Sequence, residues 1–378
     1  MPNSGTDLIA TTTGLAELIA RIGRPPLVAL DTEAASFHRY SDAICLVQLS
    51  TRDVTAVIDP LAVPDLSGIG SLVADPAVEV VFHDADYDLR LLARDHAFHC
   101  TRLFDTRVAA QLLNEPVIGL AALLEKHLGV SLDKKFQRAD WSLRPLAPGM
   151  LEYAASDTRH LPALRDRMRD LLVSAGRWTW AEEEFERQAS VRWEPEDASM
   201  AFLRIKGSGK LRGRQLAVLR EVYNWREETA RRLDRASFRV VNPDVLLALA
   251  LAEPRDIEQL KGIKGISPGQ AERYGGEILA AVARACSLPE AEWPRIERGR
   301  RPPPDPEFDA RLERLKAVRT AAAERIGLAP GVLCPNGTLE AIARAAPVSM
   351  EALRQVPELR KWQAEVVGPE LLAAVEKR

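Results

Sequence analysis

Cysteine is scarce in this 378-residue sequence, and what there is never occurs as a close pair. Cys45, Cys100, Cys286 and Cys334 form no Cys-x-x-Cys motif, which argues against a disulfide framework or a zinc site and fits a reducing cytoplasm. Long apolar runs are missing too: the longest, 245–252, is far too short to cross a bilayer. The first twenty residues lack a basic start followed by an apolar core, so no secretion signal is expected. A net charge of −3 rules out a global basic signature, so contact with a polyanion has to come from local clusters of Lys and Arg. With 46% hydrophobic and 28% charged residues, wholesale disorder is excluded as well. The expectation left is a soluble cytoplasmic protein, long enough for two or three domains.

The first half of the chain alternates short apolar runs with helical patterns. Leu27-Val-Ala-Leu30, Ile44-Cys-Leu-Val-Gln-Leu49, Thr55-Ala-Val-Ile58 and Val78-Glu-Val-Val-Phe82 are short and rich in β-branched residues, and each predicts a strand. The first three lie too close together for crossover helices, which predicts antiparallel hairpin connections. A helix over 85–94, a short strand over 102–104 and helices to about residue 176 follow, so the expected fold is a mixed α/β sheet flanked by helices. From about Phe202 onward only helical patterns occur, over 211–232, 243–252, 256–262 and 268–285. Consecutive prolines at 302–304 then break the pattern and predict an extended linker. A second helical stretch begins at Glu307. Both stretches open with a basic amphipathic helix and close with an amphipathic one, which predicts an internal repeat.

Three acidic motifs carry the chemistry. Asp31-Thr32-Glu33 follows the strand 27–30, and in a strand's period-two geometry residues 31 and 33 face the same side. Two unpaired carboxylates on one patch repel each other, and a divalent cation removes that cost; the ordinary alternative is a surface turn. The second motif is His83-Asp84-Ala85-Asp86-Tyr87-Asp88. Asp84 and Asp86 suit a helix N-terminus, through capping and the macrodipole, whereas Asp88, one turn into the helix beside Leu89 and Leu92, is the better ligand candidate. The third is Tyr153-Ala-Ala-Ser-Asp157, whose phenol and carboxylate share a helix face, with Ala154 and Ala155 allowing close approach to the sheet. His83 and His160 lie near these motifs and are assigned to packing or hydrogen bonding.

Asp31, Glu33, Asp88 and Asp157, with Tyr153 four residues before the last, resemble the three motifs of the DEDD superfamily of 3′→5′ exonucleases, tyrosine subgroup. The runs Ile44–Leu49, Phe104-Asp-Thr-Arg107 and Tyr153–Asp157 resemble the ribonuclease D family more narrowly. The segments 211–232 and around Arg360-Lys-Trp362 resemble the helicase-and-ribonuclease-D C-terminal (HRDC) domain. The resemblance implies a ribonuclease H-like mixed-sheet exonuclease domain over 1–195, HRDC-like all-α domains over 203–290 and 307–378, and a Pro/Arg-rich linker over 291–306. It further implies hydrolysis of the last phosphodiester with two divalent cations, Mg²⁺ or Mn²⁺, about 4 Å apart. Asp31 would bridge both ions, Glu33 and Asp157 would complete the first site, and Asp88 would serve the second. Tyr153 would position the attacking water, since a phenol pKa of about 10 makes it a poor general base. The implied substrate is RNA with a single-stranded 3′ end, tRNA precursors above all, cut to nucleoside 5′-monophosphates by a monomer without membrane or nucleotide cofactor. One departure is that Ala34-Ala35 stand where the family places a bulky residue, leaving Phe37 or Tyr40 as substitutes for wedging the terminal nucleotide.

Two segments suggest contacts to nucleic acid. In 133–142, Lys134, Lys135 and Arg138 alternate with Phe136 and Trp141, which suits phosphate contact and base stacking; the ordinary alternative is a solvated basic loop over two buried aromatics. Arg204, Lys206, Lys210, Arg212 and Arg214 open the first helical region, and 203–239 holds eleven Lys or Arg against four Asp or Glu. Gly207-Ser-Gly-Lys210 lacks the phosphate-loop spacing and no strand precedes it, so nucleotide binding is not expected there. Two rival functions remain: a 3′→5′ exonuclease acting on DNA, which the same carboxylates would serve, and a non-catalytic RNA-binding adaptor. The adaptor predicts loss of at least one ligand, and all four are present.

Overall fold

The computed structural model describes residues 6–133, 135–195, 197–296 and 305–376. They form two compact units, one of Met1–Glu33, Ile44–Trp193 and Pro303–Arg378, the other of Ala34–Ala43 and Glu194–Pro302.

The first unit is built on one six-stranded sheet. Its strands are β1 (Asp7–Ile9), β2 (Leu27–Ala34), β3 (Ile44–Ser50), β4 (Thr55–Ile58), β5 (Glu79–Phe82) and β6 (Leu103–Asp105), in the order β1-β4-β3-β2-β5-β6. β3 and β4 pair antiparallel with Val47 opposite Ile58, as their short connection demands, while β2, β5 and β6 run parallel. Residues 27–30 and all of β3 are buried, the signature of strands covered on both faces. The covering helices are α1 (Thr12–Ile22), α2 (Ser67–Ala74), α3 (Asp86–His96), α4 (Thr106–Leu112), α5 (Leu120–Leu128), α6 (Met150–Arg159), α7 (Leu161–Ser174) and α8 (Trp178–Ala189). β1, α1 and α2 are additional to the elements that the sequence patterns predict. What reads as one helical stretch from 150 to 172 is two helices, because Pro162 restarts the helix after a break at His160.

The second unit packs α9 (Arg214–Arg232), α10 (Ser237–Val240), α11 (Pro243–Ala252), α12 (Ile257–Lys261) and α13 (Pro268–Ser287) around a core that includes Leu219, Leu246, Leu249 and Ile278. The segment after the first acidic motif belongs to this unit: Tyr40 lies under the Arg231 guanidinium at 5.2 Å and Phe37 under that of Arg239 at 4.6 Å. The last helices, α14 (Phe308–Ile326), α15 (Pro330–Leu333), α16 (Asn336–Ala345), α17 (Met350–Arg354) and α18 (Lys361–Glu376), repeat the plan. Helix lengths of 19, 4, 10, 5 and 20 residues in the first set return as 19, 4, 10, 5 and 16 in the second. No helix among the described residues is long and apolar enough to cross a membrane.

The second helical set is fastened to α8 at its helix ends. Glu183 accepts hydrogen bonds from the backbone N–H groups of Lys361 (2.7 Å) and Trp362 (3.0 Å), supplying the missing acceptors at the start of α18. Glu184 accepts from Trp362 Nε1 at 3.0 Å and pairs with Arg360 at 3.2 Å. The Trp180 and Trp362 rings stack at 4.8 Å. At the end of α14, Arg177 donates to the carbonyls of Ile326 and Gly327. The expected linker 291–306 is corrected at its start, because Trp293 and Ile296 pack against the core of the second unit; 297–304 lie outside the described residues.

Candidate active site

β2 runs on through Ala34, so Asp31 and Glu33 belong to the strand and do not follow it, as the sequence had suggested. Its partner β5 pairs only as far as Ala29↔Val81, and the half-buried acidic end of β2 continues past that last pair. α6 brings the third motif to the same place. Ala154 and Ala155 are fully buried, which lets the helix lie close on β3 and β4, and a hydroxyl pair, Ser50 Oγ with Thr158 Oγ1 at 2.8 Å, ties it to the sheet. Carboxylate oxygens of Asp31, Glu33 and Asp157 consequently lie within 4.8 Å of one another.

Asp88 approaches by another route. Its Oδ1 accepts from the Thr32 backbone N–H at 3.0 Å and from Thr32 Oγ1 at 2.5 Å, and the residue is buried in α3. It stands beside the three-carboxylate group, near enough for its charge to act on Asp31 and Glu33. Burial, followed by the neighbouring carboxylates, pushes Glu33 up to about 8 and Asp31 well above the ordinary carboxylate range. Burial likewise raises Asp88 to about 7 and Asp157 to about 7. So many desolvated acids without a counter-charge cost stability. Hard oxygen donors in this arrangement fit a divalent cation.

Asp105 holds the second motif in place. This fully buried carboxylate accepts from the backbone N–H groups of Asp84 (3.1 Å), Ala85 (2.8 Å), Arg107 (2.7 Å) and Val108 (3.2 Å), and from Gln188 Nε2 (2.8 Å). It caps α4 and at the same time fixes the turn leading into α3, where Asp84 adopts a left-handed φ of 70°. Asp86 lies in the first turn of α3, where its charge complements the helix N-terminus while it pairs with Arg90; the capping expectation is corrected, since Asp84 pairs with Arg107 and no side chain caps that helix. The sequence signal for this role is an Asp placed directly between a strand and a helical pattern.

Tyr153 is set by aromatic neighbours. Trp141 stacks against it at 6.0 Å and Phe136 meets it edge-on at 5.8 Å. Burial, then the charges of Asp157, Glu33 and Asp31, drives its phenol further above its ordinary range. Trp141 is only 2% exposed, which fits the alternative of a basic loop over buried aromatics, and its ring supports Tyr153. The loop carrying it is anchored where Arg144 pairs in bidentate fashion with Asp59 and donates to the Cys45 carbonyl. Lys135 and Arg138 are exposed on that loop, and Lys134 lies outside the described residues. Beside Tyr153 and Asp157 opens a cleft of about 380 Å³, lined also by His83, Leu120, Leu132 and Gln137.

In the helical unit, Arg204, Lys206, Lys210, Arg212 and Arg214 are all exposed. Arg214 is paired with Glu253 at 2.8 Å, and Arg212 donates to the Gly209 carbonyl at 2.6 Å. Three of the four cysteines are buried, and all are free thiols.

Comparison with known proteins matches this architecture part by part. The 3′-5′ exonuclease family covers residues 7–173, and the HRDC domain family matches twice, over 215–282 and 308–375. Ribonuclease D of Granulibacter bethesdensis is 35% identical across 97% of this chain and 91% of its own length. Ribonuclease D of Gluconacetobacter diazotrophicus is 34% identical across 98% and 93%. Among solved structures, Escherichia coli RNase D, described as an exoribonuclease involved in structured RNA processing, superposes with a TM-score of 0.75 at 27% identity, covering 98% of this chain and 99% of that one. A carboxylate-bearing mixed sheet, two copies of one five-helix plan and likeness along nearly the whole length leave one assignment: the chain belongs to the ribonuclease D family of 3′→5′ exoribonucleases.

Proposed function

We propose that the enzyme trims the 3′ ends of structured RNA, tRNA precursors among them, releasing nucleoside 5′-monophosphates one at a time. The observation that carries this reading is the meeting of Asp31, Glu33 and Asp157 at one strand end, with Asp88 beside them and Tyr153 on the same helix as Asp157. Asp31, Glu33 and Asp157 would hold one divalent cation, Mg²⁺ or Mn²⁺, and Asp88 with Asp31 a second. Bound there, such ions supply charge for the scissile phosphate and lower the pKa of water.

The chain's own groups do the rest. Tyr153, keeping its proton at working pH, orients the attacking water by hydrogen bonding and does not act as a base. The cleft beside Tyr153 has room for the terminal nucleotide, with Leu120 and Leu132 offering apolar contact. Lys135 and Arg138 on the loop, and Arg204, Lys206 and Lys210 in the helical unit, are proposed as phosphate contacts; Arg212 and Arg214 would add to that field while keeping their internal partners. The proposed domain plan is an exonuclease domain over 1–195 and HRDC-like domains over 203–290 and 307–378.

The test uses 5′-labelled RNA and DNA of matched sequence, each with a duplex stem and a single-stranded 3′ tail, in Mg²⁺, Mn²⁺ or chelator. Metal-dependent shortening of the RNA, absent in Asp31→Asn, supports the reading. Preferential digestion of DNA, or binding without digestion of either polymer, overturns it.

A further inference from the structure

His83, expected to serve packing or hydrogen bonding, is held by a hydrogen bond that fixes its tautomer. Its Nδ1 lies 2.9 Å from Thr106 Oγ1, and Thr106 Oγ1 lies 3.1 Å from the Phe82 carbonyl oxygen. The carbonyl can only accept, so the one hydroxyl proton of Thr106 points to it. The arrangement that satisfies both contacts has Nδ1 carrying the imidazole proton and donating to Thr106. Nε2 is then an unprotonated acceptor, and it has no hydrogen-bond partner among the described residues. Burial lowers the affinity of the ring for a second proton, which keeps it neutral.

His83 lines the cleft that also holds Tyr153 and Asp157. Beside the acids Asp133 and Asp157 and the polar Gln137 and Tyr153, a neutral imidazole acceptor suits a neutral hydroxyl donor and offers nothing to an anion. We propose that His83 Nε2 accepts a hydrogen bond from a ribose hydroxyl of the 3′-terminal nucleotide, so that Thr106, by fixing the tautomer, and His83 together read the sugar. The inference rests on the exonuclease reading for the identity of the substrate, and it makes His83 a specificity residue with no part in bond cleavage.

The experiment compares four RNA tails that differ only in the last nucleotide: ribose, 2′-deoxy, 3′-deoxy and doubly deoxy. Rates are measured for the native enzyme, His83→Ala, His83→Gln and Thr106→Val. Binding of adenosine 5′-monophosphate and its 2′- and 3′-deoxy forms to each protein is measured in parallel, a readout independent of hydrolysis. The expected result is a preference of about tenfold in kcat/KM and in affinity for the ribose end over one deoxy form. Whichever deoxy form is penalised identifies the hydroxyl. That preference should vanish in His83→Ala, weaken in Thr106→Val, and return in part with His83→Gln, whose amide oxygen can occupy the Nε2 position. If His83→Ala slows all four ends by one factor, or changes none, the inference is overturned and the histidine is structural. If the native enzyme binds the ribonucleotide selectively through His83 yet degrades no RNA, the exonuclease reading fails and the sugar contact stands.

Discussion

At the residue scale, the four carboxylates are held together against their own repulsion. Without a cation, Glu33 sits at about 8 and Asp88 and Asp157 at about 7, whereas the same groups in an unfolded chain titrate near about 4. Between those values the folded state binds more protons than the unfolded one, so stability falls as pH rises through the window. In chelator, the Tm is expected to be highest near about pH 4–5 and to decline towards about pH 8; saturating Mg²⁺ or Mn²⁺ should cancel the decline. A metal-free Tm that rises across that range would refute this account of the cluster. Cation binding should also release protons, measurable as a buffer-dependent heat in calorimetry. For catalysis, Asp31→Asn is expected to lower kcat by on the order of 10³-fold, given several kcal/mol of charge stabilisation. Tyr153→Phe, which keeps the ring stacked on Trp141, should lower kcat by about 10- to 100-fold and leave cation affinity unchanged. Equal damage to cation affinity would move Tyr153 from water orientation to support of Asp157.

At the element scale, legibility follows pattern more than length: the short strands β4, β5 and β6 are predicted, while β1 and the eleven-residue α1 are not. The helix at 243–252 has the ends expected from proline in its first turn, and the structure adds Asn242 as its N-cap. The strand and helix bearing each acidic motif were legible from periodicity, and Tyr153 and Asp157 do share a face of α6. β1, with three residues, carries too little pattern to read, and its pairing with β4 is a contact distant in sequence. The roles of Thr32, Trp141 and His83 were illegible for the same reason: each depends on a partner from another element, as with Thr32 and Asp88, 56 residues apart. Asp105 is the element-scale residue to test. Asp105→Ala leaves four backbone N–H groups without their acceptor, and the expected loss is about 3 kcal/mol in urea unfolding. Asp105→Asn, which retains one acceptor oxygen, should cost less. Because the turn it holds leads into α3, both variants should weaken cation binding through displacement of Asp88.

At the scale of the whole molecule, the duplicated five-helix plan is put to unequal use. The copy in the second unit exposes Arg231, Arg232, Arg235 and Arg239, while the last copy is joined to α8 through Glu183, Glu184, Arg177 and a tryptophan stack. The repeat was visible in the sequence; the difference in attachment was not, since nothing in 177–184 alone indicates that these side chains serve another domain. Glu183→Ala should remove the acceptor at the start of α18 at a cost of about 1–2 kcal/mol. Hydrogen exchange should then quicken in α18 and leave the sheet unchanged. Uniform acceleration across the unit would mean that the last domain and the sheet open together.

The borrowed helix ends have a consequence for how the chain is made. Synthesis delivers α8 well before α14 and α18, and domains generally fold in the order in which they emerge. By the time Arg360–Trp362 leave the ribosome, the surface that completes them already stands folded. The last domain thus matures against a finished template, and a nascent chain stalled before residue 308 would hold Trp180 and Glu183 open to solvent until release.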